Sequence, residues 1–309
     1  MTRDHGGDLD RAKALFGGRD WIDLSTGINR VPYPIPPLPP EAWTALPTPR
    51  AMGAAARAAE RAWGSARPLI PVAGAQAAIQ VLPRLWAPGL ARILAPTYNE
   101  HAAQFRAAGW RVEEVVTLSA LNGADLAVVV NPNNPDGQAH DPTALLALDV
   151  RRLIVDESFA DPVPHLSLLP HMREGLVVLR SFGKFYGLAG LRLGFVAGAD
   201  VAPLAGPWPI AGVALEVGRA ALDDTDWAAV TIDRLARDAA RMDALAPWPL
   251  VGGTHLFRTY ATADAAAAQA HLARHGIWSR IFPYSRTWLR LGLPAPHEWD
   301  RVKAALPRE

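Results

Sequence analysis

Residues 179–195, LRSFGKFYGLAGLRLGF, decide how the rest of this chain is interpreted. An apolar run that predicts a strand leads into Lys184, which stands among aromatic residues and glycines. Apolar surroundings favour the neutral amine of a lysine, and a neutral amine can form a Schiff base with a carbonyl compound. Ser181 and Arg192 flank the lysine and are suited to hold a phosphate beside it. A single lysine of this kind is more often a solvated loop residue, so its interpretation depends on what the remaining chain supplies.

Short apolar runs alternate with helical segments along the chain before this stretch. Near-continuous apolar runs that end in polar residues are typical of strands in a parallel sheet with both faces covered. Ligands bind at the carboxyl ends of such strands, so we expect the functional residues there. The runs cover residues 91–95, 111–116, 126–130, 153–155 and 176–179, and a Pro, Asn, Asp or Ser lies within three residues after each of them.

Two proline-rich segments indicate the domain boundaries. Residues 31–40 (VPYPIPPLPP) predict an extended connector, and residues 203–209 (PLAGPWP) break the chain. A chain of 309 residues has room for one large domain and a smaller companion. We therefore expect a large α/β domain over residues 40–205 and a smaller α+β domain formed by residues 1–39 and 206–309.

The composition argues against several classes of function. The chain has 31 Lys+Arg and 30 Asp+Glu, a formal net charge of +1, which argues against a nucleic-acid or anionic-membrane partner held by bulk charge. Because the chain has no cysteine, disulfides, thiolate metal sites and a cysteine nucleophile are excluded, and no metal is expected. The sequence shows neither a signal peptide nor an apolar run of membrane-spanning length, so we expect a cytoplasmic protein.

Several polar side chains stand where the predicted strands end. Asp156 directly follows the run 153–155, where a carboxylate is costly unless it is paired, and a protonated ring nitrogen is a suitable partner. Asn134 lies in an Asn-Pro-Asp-Gly turn and can donate a hydrogen bond into a pocket. Gly74 precedes a helix whose first amides can receive a phosphate, and Tyr98 can lie on a planar ring. Each feature by itself also has a structural explanation as a turn, a helix cap or a core side chain.

The order of these residues along the chain resembles that of a known family. The resemblance is to the fold-type I pyridoxal-phosphate enzymes of the aminotransferase class I/II family, and it covers nearly the whole chain. It implies a dimeric fold-type I transferase, in which a large domain with a mainly parallel sheet covered by helices is joined to a smaller α+β domain. It also implies pyridoxal 5'-phosphate as the cofactor, carried by Lys184. The matching residues, in chain order, are Gly74, Tyr98, Asn134, Asp156, Lys184 and Arg192.

The resemblance also assigns roles to individual residues. Lys184, Asp156 and Tyr98 are the expected catalytic residues: Asp156 keeps the pyridine nitrogen protonated, and Tyr98 stacks on the ring. His101 is expected behind the ring near Asp156, and Asn134 is expected to bond the ring's 3-oxygen. The expected phosphate ligands are Gly74, Ala75, Gln76, Ser181 and Arg192.

Two positions depart from the family's pattern. Phe159 stands three residues after the aspartate, where the family commonly has a tyrosine that also bonds the 3-oxygen. The chain has Leu46-Pro47-Thr48-Pro49 where relatives often carry Tyr-Pro-Asp-Pro, on a segment that reaches the cofactor phosphate of the partner subunit. One donor to the 3-oxygen is therefore missing, and the phosphate contact from the partner stays open.

The expected substrate residues come from the two ends of the chain. Arg290 matches the family arginine that grips the substrate α-carboxylate, for which a bidentate guanidinium suits the geometry. Arg280 matches the additional arginine that points at the distal phosphate in members with phosphorylated substrates. The opening His-Gly-Gly-Asp of residues 5–8 and the segment 21–30 resemble the threonine-phosphate decarboxylases of cobalamin biosynthesis. This resemblance assigns His5, Arg280 and Asn29 to the substrate phosphate and adds Gly27 and Asn134 as further substrate-binding residues.

The expected activity is decarboxylation of O-phospho-L-threonine to (R)-1-amino-2-propanol O-2-phosphate by a pyridoxal-phosphate-dependent carboxy-lyase of cobalamin (vitamin B12) biosynthesis. The alternative is histidinol-phosphate aminotransferase or a related phosphate-recognising aminotransferase, which shares most of the core but activates the Cα–H bond. A non-catalytic regulatory domain that binds the cofactor needs an attached DNA-binding module, and we expect none because the chain has no basic helix for one.

Overall fold

The computed structural model describes residues 5–307 of the chain. The strands are β1 (Ile22–Asp23), β2 (Leu69–Val72), β3 (Leu90–Leu94), β4 (Arg111–Val115), β5 (Leu126–Val130), β6 (Leu153–Asp156), β7 (Leu176–Ser181), β8 (Gly194–Ala197), β9 (Leu250–Thr254), β10 (Phe257–Ala261), β11 (Ile277–Trp278), β12 (Arg280–Phe282) and β13 (Ser285–Gly292). The α-helices are α1 (Leu9–Phe16), α2 (Glu41–Thr44), α3 (Pro49–Trp63), α4 (Ala75–Val81), α5 (Glu100–Ala107), α6 (Pro142–Leu146), α7 (Phe182–Phe185), α8 (Ala202–Ala205), α9 (Gly212–Asp223), α10 (Thr225–Leu245), α11 (Ala265–Arg274) and α12 (Trp299–Ala305). Short 3₁₀ turns cover Leu82–Arg84, Ser119–Leu121, Pro164–Leu166, Leu169–His171, Ala189–Leu191 and Pro296–Glu298.

The larger of two compact units comprises Tyr33–Asn134 and Ala139–Ala229. Within the described part of the chain, its sheet has seven strands in the order β2-β8-β7-β6-β5-β3-β4. The strands from β7 to β4 in this order are parallel, whereas β8 runs antiparallel to both β7 and β2. The predicted α/β fold with a mainly parallel sheet is therefore confirmed.

The central strands are buried because helices pack against the sheet. Every residue of β5 and β6 is buried, which explains why these runs show no alternation of apolar and polar residues. Ile79 of α4 and Phe105 of α5 join Ile93, Val128 and Ile154 of the strands in one core cluster. The register pairs Val130 with Asp156, so the carboxyl ends of these strands lie at the same edge. Polar residues that end the strands are thereby brought together.

The smaller unit comprises the described parts of residues 1–32, 135–138 and 230–309. It contains an antiparallel sheet in the order β12-β13-β10-β9 and a parallel pair formed by β1 and β11. The helices α1 and α11 pack against each other in the same unit. This mixture of antiparallel strands and helices has the α+β character expected of the smaller domain.

The boundaries of the larger unit lie outside the predicted range 40–205 on both sides. At its beginning, the backbone amide of Tyr33 donates to the carbonyl of Tyr186 at 2.9 Å. At its end, α9 packs along α3, and the Trp227 ring stacks on Tyr186 with 5.6 Å between centroids. These contacts assign α9 and the first turn of α10 to the larger unit.

Candidate active site

A buried carboxylate, Asp156, ends β6 at the carboxyl edge of the sheet. Its Oδ2 lies 2.9 Å from Nε2 of His101, and its Oδ1 accepts hydrogen bonds from the amide of Ser158 at 3.0 Å and the hydroxyl of Ser158 at 2.5 Å. Burial acts to raise the pKa of Asp156, but the hydrogen bond and charge of His101, together with Ser158, lower it below its ordinary value. The site therefore holds a stable negative charge.

Asp156 faces a pocket in the larger unit that also contains Lys184. His101 contacts Asp156 but is not among the residues that line this pocket. The structure thus brings together the residues that the resemblance assigned to the cofactor. The predicted residues that line the pocket are Gly74, Ala75, Gln76, Tyr98, Asn134, Asp156, Ser181, Lys184 and Arg192.

Lys184 lies on the single-turn helix α7 in aromatic surroundings. Its Nζ is 5.8 Å from the centroid of the Phe159 ring. Phe182 and Tyr186, on either side of it in the chain, stack on each other with 4.3 Å between ring centroids. Gly183 is required at its position, because a Cβ there would lie 2.7 Å from Cα of Ala189. The sequence argument for an apolar lysine environment is consistent with this placement.

One end of the pocket is rich in hydrogen-bond donors. Gly74 has a φ of +75°, and a Cβ at this position would lie 2.7 Å from Nη2 of Arg192, so only glycine lets the guanidinium approach the turn. The amides of Ala75 and Gln76 belong to the first turn of α4 and point out of its N-terminus. Ser181 adds a hydroxyl from the end of β7. Amides, a hydroxyl and a guanidinium together are suited to a phosphate group.

A buried ion cluster supports Asp156 and Ser181 from behind. Arg180 places Nη1 3.1 Å from Oε2 of Glu157 and Nη2 2.7 Å from Oδ1 of Asp161. Glu157 and Arg180 directly neighbour Asp156 and Ser181 in the chain, and successive side chains of an extended segment point to opposite faces. The cluster therefore holds the ends of β6 and β7 together from the side opposite the pocket.

The smaller unit presents two arginines on neighbouring strands. Arg290 of β13 is buried, and its Nη2 donates to the carbonyl of Ser25 at 2.8 Å. Burial, reinforced by the charge of Arg280, lowers the pKa of Arg290 to about 9. Arg280 is directly opposite Arg290 in the antiparallel register of β12 and β13. Two positive charges in this arrangement repel each other, so the pair is suited to a ligand with negative charge.

A cavity in the smaller unit is lined by His5 and Arg280, the two residues expected at the substrate phosphate, and also by Arg11. Sequence analysis did not single out Arg11, which lies on the first turn of α1, two residues after its start. Gly27 and Asn29 are outside the set of residues that line this cavity. The Oδ1 of Asn29 accepts from Nη2 of Arg234 at 2.7 Å and from a backbone amide, so this oxygen holds the loop together.

The sequence profile of the aminotransferase class I and II family matches residues 62–308. The chain belongs to this family. The predicted family membership is therefore confirmed, and the pocket around Asp156 and Lys184 lies within the matched range. Among residues 5–307, no group of His, Asp or Glu side chains is arranged to hold a metal ion, and no helix is long and apolar enough to cross a membrane.

Two relatives within the family match almost end to end. The threonine-phosphate decarboxylase of Pseudomonas aeruginosa is 40% identical over 98% of this chain and 97% of its own. The threonine-phosphate decarboxylase of a Sinorhizobium species is 42% identical over 96% of this chain and 95% of its own. The solved structure of histidinol-phosphate aminotransferase from Sinorhizobium meliloti in complex with pyridoxal-5'-phosphate superposes with a TM-score of 0.80 at 18% identity, covering 96% of this chain and 93% of that chain. This last likeness shows the shared fold.

Proposed function

We propose that this chain is a pyridoxal-phosphate-dependent carboxy-lyase that converts O-phospho-L-threonine to (R)-1-amino-2-propanol O-2-phosphate in cobalamin (vitamin B12) biosynthesis. The observation that carries the proposal is the 40% and 42% identity to two threonine-phosphate decarboxylases over nearly the full length of each chain. The arginine pair of the smaller unit supports it, because the substrate carries two anionic groups, a carboxylate and a phosphate.

The residues of the larger unit fit pyridoxal phosphate. The space above Gly74, which a Cβ would fill, lets Arg192 join the first-turn amides and the Ser181 hydroxyl around the phosphate group. Lys184 supplies the amine that attaches the cofactor, and Asp156 supplies the counter-charge for its ring nitrogen. When bound, pyridoxal phosphate provides an electron sink for negative charge at the substrate Cα.

The side chains of the pocket have different proposed roles in catalysis. Asp156, kept ionised by His101 and Ser158, would hold a proton on the ring nitrogen of the bound cofactor. Tyr98 and Asn134 line the same pocket, where Tyr98 would lie against the ring and Asn134 would donate to its 3-oxygen. The Lys184 amine would hold the proton that the substrate Cα receives.

The side chains of the smaller unit bind and orient the substrate. Arg290 grips the carboxylate with both nitrogens, and Arg280 and His5 bind the phosphate. Arg11, which lines the same cavity as His5, adds a third positive group at the phosphate. When substrate is bound, this grip would favour cleavage of the Cα–carboxylate bond over the Cα–H bond.

The proposed assembly is a homodimer. Large apolar side chains of the larger unit are exposed in the single chain: Trp43 by 70%, Leu46 by 62% and Trp208 by 56%. We propose that the partner subunit covers some of these side chains. Light scattering coupled to size-exclusion chromatography tests the assembly, and a mass of one chain contradicts it.

The decisive experiment mixes the cofactor-loaded protein with O-phospho-L-threonine in the absence of any keto acid. We expect release of carbon dioxide and the amine product in equal amounts over many turnovers, followed by gas analysis and mass spectrometry. Conversion of the cofactor to pyridoxamine phosphate after one turnover, without carbon dioxide, contradicts the proposal and indicates an aminotransferase.

A further inference from the structure

Three side chains of the larger unit form a chain of hydrogen bonds that ends at the pocket. Glu100, on the first turn of α5, is buried, with only 4% of its surface exposed. Nε2 of Gln76 donates to Oε2 of Glu100 at 3.1 Å. The hydroxyl of Tyr98 donates to Oε1 of Gln76 at 3.0 Å. Both Gln76 and Tyr98 line the pocket, whereas Glu100 does not contribute to its lining.

The carboxylate determines the direction of every hydrogen bond in this chain. A carboxylate only accepts hydrogen bonds, so Gln76 must turn its NH₂ group toward Glu100. The carbonyl oxygen of Gln76 then faces Tyr98 and can only accept. The hydroxyl proton of Tyr98 is therefore committed to Gln76, and toward a ligand the hydroxyl oxygen presents its lone pairs.

The same carboxylate has a second donor that leads away from the pocket. Nε2 of Gln104, one turn further along α5, donates to Oε2 of Glu100 at 3.3 Å. Gln104 does not line the pocket. The two glutamines thus share one acceptor, but only Gln76 connects it to Tyr98.

We propose that Glu100 is a positioning residue that acts through Gln76 on Tyr98. It holds the Tyr98 ring in place against the cofactor and leaves the Tyr98 oxygen as an acceptor, suited to an ammonium group and not to the cofactor phosphate. His101 supports the same placement, since its ring meets that of Tyr98 edge-on with 6.2 Å between centroids. The inference rests on the proposed function, because it concerns the pocket that binds pyridoxal phosphate.

The test measures pyridoxal phosphate affinity by titrating cofactor-free protein and following the visible absorption of the bound cofactor. Glu100→Leu removes the acceptor, and we expect about tenfold weaker binding, the effect of losing a hydrogen bond to a charged group. Tyr98→Phe removes the hydroxyl and is expected to weaken binding to a similar extent. Both substitutions interrupt the same series of hydrogen bonds. The double variant Glu100→Leu, Tyr98→Phe should therefore bind pyridoxal phosphate about as tightly as the single variant with the lower affinity.

A second variant and a matched control keep this test decisive. Glu100→Gln retains the size of the side chain and replaces Glu100→Leu in the comparison if that variant does not fold. We expect about threefold weaker binding of pyridoxal phosphate, because an amide can donate as well as accept and no longer fixes the direction of the hydrogen bonds. Gln104→Leu removes the other donor to the same carboxylate, and we expect unchanged cofactor affinity.

Two outcomes overturn the inference. If the losses of Glu100→Leu and Tyr98→Phe multiply in the double variant, or if Gln104→Leu weakens binding as much as Glu100→Leu, then Glu100 supports α5 and does not act through Gln76. If the unchanged protein binds no pyridoxal phosphate, the proposed function fails together with the inference. Tight binding by the unchanged protein with multiplying losses leaves the proposed function standing and removes only the role of Glu100.

Discussion

A buried charge is stabilised in the cofactor pocket of the larger unit but destabilised in the arginine pair of the smaller unit. Asp156 has its own protein partners, His101 and Ser158, and its pKa is lowered despite complete burial. Arg290 is equally buried and donates to the carbonyl of Ser25, but burial, reinforced by the charge of Arg280 across the strands, lowers its pKa to about 9. The first charge is stabilised by the protein, whereas the second is destabilised.

This difference matches the two kinds of ligand that we propose. A cofactor that stays bound through many turnovers needs a site organised in advance, and hydrogen-bonded charge provides it. A substrate that arrives and leaves can itself supply the negative charge that relieves the arginine pair. In our proposal, the smaller unit thus gives up stability to gain affinity for a substrate with two anionic groups.

The largest effect is expected at Lys184. Lys184→Ala removes the amine that attaches the cofactor, so we expect the visible absorption of the bound cofactor to disappear and decarboxylation to fall by about a thousandfold or more. Absorption spectra and a carbon dioxide assay measure both. Lys303→Ala, at an exposed lysine of α12, is the control and should change neither. An unchanged spectrum of Lys184→Ala contradicts the assignment.

The second largest effect is expected at Arg290, whose buried charge is destabilised. Arg290→Met should lower kcat/KM for O-phospho-L-threonine by about a hundredfold, because the carboxylate loses a bidentate partner. The same change should raise the free energy of unfolding by about 1 kcal/mol, because it removes a buried cation that lies opposite Arg280. Kinetics and urea unfolding measure the two quantities.

Arg286→Met provides the matched control for this variant, because Arg286 is an exposed arginine on the same strand, β13. Both quantities should stay at the values of the unchanged protein. A lower unfolding free energy of Arg290→Met would show that Arg290 stabilises the smaller unit, and the contrast between the units would then be lost.

A smaller effect is expected in the pH dependence of folding. The pKa of Asp156 is lowered in the folded chain, so its carboxylate stabilises the fold above about pH 4, the pKa of an unfolded aspartate, and this stabilisation is lost as the pH falls through the folded value. The difference in unfolding free energy between the unchanged protein and Asp156→Asn should therefore shrink from pH 6 to pH 3.

Urea unfolding of the cofactor-free proteins at several pH values measures this difference. Asp10→Asn, at a side chain of α1 that is 98% exposed, serves as the comparison and should show no such trend. If the difference between the unchanged protein and Asp156→Asn grows toward acid pH, the carboxylate of Asp156 is not stabilised by His101 and Ser158.

The smallest effect is expected at Phe159, the position where the family commonly has tyrosine. Phe159 is buried beside Lys184, and Phe159→Tyr adds a hydroxyl that can donate to the 3-oxygen of the cofactor. We expect about threefold tighter binding of pyridoxal phosphate, the effect of one neutral hydrogen bond. Titration of the cofactor-free protein measures it. Weaker binding would mean that the pocket has no room for the hydroxyl.

The cofactor pocket could be predicted largely from local pattern. The apolar runs 126–130 and 153–155 correspond to β5 and β6, and parallel pairing brings their carboxyl ends to one edge. Asp156 and Ser181 end strands of this sheet, and Lys184 follows in the next turn. The position of Asp156 and Ser181 at the ends of neighbouring parallel strands is what places both at the pocket.

The supporting contacts could not be predicted in this way. Glu100 contacts Gln76 across 24 residues of sequence, and Arg234 contacts Asn29 across 205. Neither pair carries a local signal, because nothing in the periodicity of one segment specifies which side chain of a distant segment will meet it. The same holds for Arg11, which is an ordinary helical arginine until the fold places it in the cavity with His5.

The sequence by itself determined the α/β class, the family and the positions of Asp156 and Lys184, because strand periodicity and residue order depend on neighbours in the chain. Only the tertiary structure decided that Arg280 lies opposite Arg290, since a shift of one residue in the register of β12 would turn its side chains to the other face. It also decided that α9 belongs to the larger unit, through packing on α3. Register and packing depend on contacts between distant segments, which no single stretch of sequence encodes.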